Sequence, residues 1–243
     1  MAWTLTGSLD DYVTMAGEFL RSRPVHNTIQ LTALQSLRAR GTSVFGDVAP
    51  LFGWWRSAVA EVSAALLHTP PYPVLLTGLP ERSADELAGA LAASGRQLPG
   101  VNAPQGDAAA FAAAWSRLTG AACHEFRRTR LFRLEQLRAP VPFPRGAAVS
   151  LAGVSRPTAG VVRVAPVYTP PDHRGRGYGG AVTAAVSQAA LDASASHVVL
   201  FTDLANPASN ALYRRLGYRP VEDRVVLRFE LRGRPAPLTL EGP

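Results

Sequence analysis

Between Pro170 and Val182 the chain reads "PPDHRGRGYGGAV". Thirteen residues hold Gly175, Gly177, Gly179 and Gly180 together with His173, Arg174 and Arg176. An apolar run, "VVRVAPVY", precedes this stretch and an alanine-rich one, "AVTAAVSQAAL", follows it. The stretch therefore joins a strand end to a helix start. The first turn of a helix carries N–H groups with no internal partner, and its dipole adds partial positive charge. Glycines let backbone close on an anion without a Cβ in the way, and the two arginines add full charges. These types at this spacing describe a pyrophosphate cradle. Farther on, "NPASNALYRRLGY" sets Asn206, Asn210 and Tyr213 at i, i+4 and i+7, one face of a short helix.

Two kinds of phosphate ligand compete for the loop. Gly175, Gly177 and Gly180 satisfy G-x-G-x-x-G, and Asp203 closes the next strand, as a nicotinamide dinucleotide site wants. In such a site the glycines stand directly at the strand end. Here "TPPDHR" intervenes after Tyr168 and moves them away from the strand tip.

Other chemistries find little support. The single Cys123 excludes an internal disulfide and a Cys-based metal site, and the five histidines show no metal-ligand spacing. No metal site is expected. All 25 basic residues are arginine, and the net charge is +7. Residues 124–176 hold ten arginines against three acids, so the excess ends inside the glycine loop. That is either a solvated face or a field that draws in an anionic ligand. Aromatic residues do not alternate with the basic ones, so nucleic acid is not an expected partner. Neither a bilayer-spanning run nor a basic, then apolar, N-terminus is present, and the expectation is a cytoplasmic protein without a membrane partner.

The positioning elements follow from periodicity and punctuation. Residues 9–40 read as helical with a break at Pro24. Residues 51–79 have β-type patches cut by a Pro-rich turn. "SADELAGALAASG" reads as a capping-box helix from Ser83 and Glu86 to Gly95, and 105–120 as another helix. "EFRRTRLFRLEQL" is strand-like, and the prolines of 139–147 mark a linker. Beyond it the order is β-β-loop-α-β-α-β: strands at 148–155 and 160–168, the loop and its helix, a strand at 197–203, the 206–218 helix and a final strand region at 221–231. Asn206, Pro207 and Gly217 are cap, first-turn and stop residues of that second helix. The order over 74–134 faintly repeats that of 161–231, without a glycine loop. The fold class expected is α/β, an α+β mixed sheet.

"VVRVAPVYTPPDHRGRGYGGAV" resembles motif A of the GNAT superfamily of N-acetyltransferases, whose R/Q-x-x-G-x-G/A signature is filled by Arg174, Gly177 and Gly179. "FTDLANPASNALYRRLGYRPVED" resembles the segment that follows in that family. The resemblance implies a GNAT-like domain over 148–243, a degenerate GNAT-like domain over 1–138, and acetyl-CoA as donor to a primary amine that attacks directly. It implies that the amides of Arg174, Gly175, Arg176, Gly177, Tyr178, Gly179 and Gly180 hold the pyrophosphate. Val167 and Tyr168, splayed from the next strand near Pro166, would pair with the pantetheine. Asn206 and Asn210 would border the cofactor, and Tyr213 would be the general acid. Asn206 is equally an ordinary N-cap, Asn210 polar surface and Tyr213 a packing aromatic. The reading leaves room for a homodimer. Two family features are missing from their usual places. Val162, Arg163, Val164 and Ala165 stand where a glutamate is usual, and no pair of acceptor-side helices precedes the 148–155 strand. The N-terminal part supplies that wall, or the pocket is open, or the domain is shortened. A CoA-binding sensor or interaction module without transfer activity is the alternative function.

Overall fold

A computed structural model describes residues 2–59, 61–80, 83–138 and 148–230. The proline linker at 139–147 lies outside the described residues. In chain order the elements are β1 (Ala2–Thr6), α1 (Leu9–Ser22), α2 (Thr28–Arg40), β2 (Leu51–Arg56), β3 (Val62–His68), β4 (Val74–Thr77), α3 (Ala84–Ala93), β5 (Gly100–Pro104), α4 (Gln105–Thr119) and β6 (Ala122–Leu134). Then come β7 (Leu151–Val154), β8 (Val161–Tyr168), α5 (Tyr178–Asp192), β9 (His197–Asp203), α6 (Pro207–Arg215) and β10 (Tyr218–Glu230). They form two compact units that do not follow chain order. Unit 1 is Met1–Ser22, Ser36–Arg127 and Arg224–Pro243, and unit 2 is Arg23–Gln35 and Arg128–Asp223.

In unit 1 the strand order is β1-β2-β3-β4-β5-β10. β4 and β5 run parallel, as a β-α-β unit requires, and β10 returns antiparallel against β5. Gly100 is needed there, because a Cβ would collide with the Leu227 carbonyl oxygen. The core gathers Leu66, Leu76, Leu87, Val101, Phe111, Trp115 and Phe229. The capping box at Ser83 does not form. Ser83 Oγ donates to the Pro80 carbonyl, and Glu86 Oε1 accepts from the Trp3 N–H at 2.8 Å. A long-range strand contact has taken the acceptor that a local cap would use.

In unit 2 the order is β10-β6-β9-β8-β7. β8 and β9 are parallel, and β7 flanks β8 antiparallel. Successive strand residues alternate faces, and the two faces of this sheet are covered differently. On one, Phe132, Val162, Val164, Val198 and Leu200 pack with Ala184 and Ala190 of α5 and with Tyr213 and Leu216 around α6. On the other, Leu131, Val161 and Val199 pack with Val25. The Gln35 side chain meets the Thr158 hydroxyl, so both ends of segment 23–35 are tied into this unit. The second face is thus covered by residues from the N-terminal part of the chain. Arg130 clasps Asp223 with Nε–Oδ1 and Nη2–Oδ2 distances of 2.6 and 2.7 Å, and this holds the carboxyl of Asp223 below its usual range. The element order β4-α3-β5-α4-β6 matches β8-α5-β9-α6-β10, with a parallel strand pair in each.

Candidate functional site

The β8–β9 ladder has three rungs, Val161 with His197, Val162 with Val198 and Arg163 with Val199, and then stops. On its other side β8 stays paired with β7 as far as Tyr168, opposite Leu151. So residues 164–168 leave β9 while remaining in the sheet, and their β9-side backbone groups are without ladder partners. Pro166, which has no N–H, lies in this stretch. Tyr168 is 49% exposed, whereas Val167 is partly buried against the α5-side core. Backbone groups left without a ladder need other partners, and an extended ligand with amides of its own would supply them.

The glycine loop starts where this open edge ends. A short 3-10 turn at Pro171–His173 absorbs the residues between the strand and the glycines. Thr169 is the anchor: its carbonyl accepts from Arg174 Nε at 3.0 Å, and its hydroxyl lies 2.9 Å from Ser150 Oγ. Arg174 thereby uses part of its guanidinium to close the loop. Gly175 and Gly177 have φ of +75° and +84°, a conformation that disfavours other residues. Gly177 is the N-cap of α5, where Ala181 N–H donates back to its carbonyl and no side chain caps the end. The amides ahead of Ala181 belong to the turn whose donors a helix cannot satisfy internally. Gly179 faces Thr169, and a Cβ there would sit 3.3 Å from the hydroxyl; one on Gly180 would sit 3.0 Å from Leu212 Cδ1. Arg176 is exposed, and the His173 ring stands edge-on to Tyr178 at 6.3 Å.

The α6 residues have separate tasks. Asn206 is the N-cap, its Oδ1 accepting from Ser209 N–H at 3.0 Å. Asn210 is buried, and its amide nitrogen donates to the carbonyls of Asp203 and Asn206 at 2.9 and 2.7 Å. Its Oδ1 is buried without a partner. Tyr213 is 8% exposed, between the rings of Phe132 and Tyr218 at 6.4 and 6.1 Å. Burial pushes its pKa up, so the phenol keeps its proton. Behind it Tyr218 shares a 2.6 Å hydrogen bond with Ser187 on α5, and burial pushes its pKa up to about 12. Gly217 ends the helix turn at φ +96°, where a Cβ would strike the Gln136 carbonyl oxygen.

Thus β8, the loop and α5 bring Val167, Tyr168 and residues 174–180 into one continuous backbone edge, while Asn206 and Asn210 spend hydrogen-bonding groups on the turn from β9 into α6. Thr169, Ser150, Ser187 and Tyr218 are partners that the motif did not single out. A hydroxyl residue directly after the strand was the available signal for Thr169. Among the described residues no cluster of His, Cys, Asp or Glu could hold a metal ion, and no helix is long and apolar enough to cross a membrane.

Residues 150–227 match the model of the FR47-like protein family. No curated protein matches the sequence. Solved structures are similar in fold. A Drosophila protein is 12% identical with a TM-score of 0.63, covering 94% of this chain and 98% of its own. A GCN5-related N-acetyltransferase from Sphaerobacter thermophilus is 13% identical with a TM-score of 0.54, covering 93% of this chain and 95% of its own. A tandem GNAT protein from the clavulanic acid biosynthesis pathway is 15% identical, also at 0.54, covering 96% of this chain and 99% of its own. The FR47-like match covers about a third of the chain, and the fold of the whole chain is similar to that of these N-acetyltransferase and tandem GNAT structures.

Proposed function

We propose that the protein transfers an acetyl group from acetyl-CoA to an amine at the open edge of β8. The observation that carries this reading is the ladder that stops at Arg163 and Val199 and leads, along 164–168, into the glycine cradle. That edge suits a long ligand with amides in its middle and a pyrophosphate at its end. Residues 174–180 would hold the pyrophosphate, and Val167 and Tyr168 the pantetheine. The thioester supplies an activated acyl carbon. A neutral amine nitrogen attacks that carbon, the C–N bond forms, the C–S bond breaks, and the electron pair leaves with sulfur. Tyr213 gives its proton to the sulfur, and the proton lost by the amine goes to water. Segment 23–35, which covers the face opposite α5, would form the acceptor-side wall. The degenerate GNAT-like nature of the N-terminal half, a dimeric state and a cytoplasmic location belong to the same proposal.

A CoA-binding module without transfer is favoured by one observation, the run Val162, Arg163, Val164 and Ala165 on the strand where a glutamate is usual. Calorimetry with acetyl-CoA, together with thioester consumption over an amine panel, separates the two. Binding with turnover supports the transferase, binding without turnover on any amine supports the module, and absence of binding overturns both.

A further inference from the structure

Arg163 sits at the last rung before β8 and β9 part, opposite Val199. Its face is that of Val161, which packs with Val25, and not that of Val162 and Val164, which pack under α5. On the far side of the same rung Val199 pairs with Arg133 of β6. Two arginines therefore flank one valine on the face covered by segment 23–35. Two interstrand spacings put their backbones about 10 Å apart, and side chains of this length can converge on one anion. The neighbouring rung on that face, Leu131 with Phe201, is apolar.

Arg163 is largely buried, and burial pulls its pKa down. Among the described residues its guanidinium has no hydrogen bond or ion pair, and neither has that of Arg133, which is partly buried. The contrast lies close by, where Arg130 on the same strand is fully engaged by Asp223. Enclosing a cation without a counter-charge is unfavourable. An arginine used only for structure would have been given a carboxylate, and a guanidinium fork left open matches a ligand's carboxylate.

We infer that Arg163, with Arg133 beside it, binds a carboxylate carried by the acceptor, so that the acceptors are amines bearing a carboxylate, as α-amino acids do. This rests on the transfer reading above. The open edge of β8 begins at Arg163, so a carboxylate on this rung holds an amine a short distance away at the part of the edge that the acyl group reaches. Arg163 is a binding residue for the acceptor and not a base. Its positive charge also lowers the pKa of an ammonium placed nearby, which favours the neutral nucleophile.

The test compares phenylalanine and alanine with their C-terminal amides, which keep the amine and lose the only carboxylate. Wild type, Arg163→Met and Arg163→Lys are each examined for Tm shift with the amino acid alone, for acetyl-CoA affinity, and for kcat/KM. In wild type the acids raise Tm and are used at least about tenfold better than the amides. Arg163→Met loses the Tm shift and the preference, chiefly through KM, with acetyl-CoA affinity unchanged, and Arg163→Lys recovers part of both. The Tm of Arg163→Met itself is not below that of wild type, since an unpaired, largely enclosed cation has been removed. Equal use of acids and amides by wild type overturns the inference, as does a preference retained in Arg163→Met or a large fall in its Tm. A preference for succinyl-CoA over acetyl-CoA that Arg163→Met abolishes also overturns it, by giving the carboxylate to the acyl group. If acetyl-CoA fails to bind while the acids still bind through Arg163, the transfer reading falls and the carboxylate site stands.

Discussion

Arg224 donates from Nη2 to the Asn102 carbonyl at 3.1 Å and to the Leu76 carbonyl at 3.4 Å. The β4–β5 ladder ends at Leu75 and Asn102, so this guanidinium bridges the two strands just past their last rung. Its Nε reaches Asn102 Oδ1 as well, at 3.3 Å, and the residue is 4% exposed. In unit 2 the corresponding gap between β8 and β9 is an open backbone edge. In unit 1 it holds a protein side chain, and no glycine loop follows β4.

From this we expect one acetyl-CoA per chain in calorimetric titration. A stoichiometry of two would mean that Arg224 is displaceable. Arg224→Met should cost about 2–3 kcal/mol of stability, because buried carbonyls of β4 and β5 lose their donor. Urea unfolding measures this directly.

Gly177→Glu should weaken acetyl-CoA binding by at least about a hundredfold. A non-glycine residue at φ +84° costs about 1–2 kcal/mol, and a carboxylate at the helix start repels phosphate. Gly179→Val should act sterically through Thr169. Unchanged affinity in both variants removes the loop from the site.

Tyr213→Phe should lower kcat by about 10²–10⁴, the usual worth of a general acid, and leave acetyl-CoA affinity nearly unchanged. The pH profile carries a second check. Burial raises the pKa of this phenol, so its protonated form persists above the ordinary tyrosine value of about 10. Rates should rise as the acceptor amine loses its proton and should show no basic limb from Tyr213 below about pH 10. A falling limb near pH 8 that disappears in Tyr213→Phe would contradict this.

Tyr218 makes an alkaline stability prediction. Its folded pKa, pushed up to about 12, lies above that of the unfolded chain, so the native state favours the protonated phenol. This contribution is complete below about pH 10, the unfolded value, and is lost as pH rises toward the folded one. Tm scans from pH 9 upward should show a decline that Tyr218→Phe reduces. Tyr218→Phe should itself be destabilised near neutral pH, because Ser187 loses the partner of its 2.6 Å hydrogen bond.

The sequence by itself determined the local pieces. Gly175, Gly177 and Gly217 announce positive φ, Asn206 and Pro207 announce a helix start, and the six residues after Tyr168 announce a loop set back from its strand. Each is an effect of a few neighbouring atoms, so a few residues spell it out. Glu86 was misread because the pattern of a capping box says nothing of the Trp3 amide, which lies far away in the chain and wins the carboxylate. Tertiary structure alone decided what covers the second face of the unit 2 sheet. Val25 and Gln35 reach it from more than a hundred residues upstream, through burial and side-chain contacts that no local periodicity records. The end of the β8–β9 ladder is likewise a matter of strand register, and register is what turns Arg163 from one basic residue among many into a largely enclosed cation at the last rung before the two strands part.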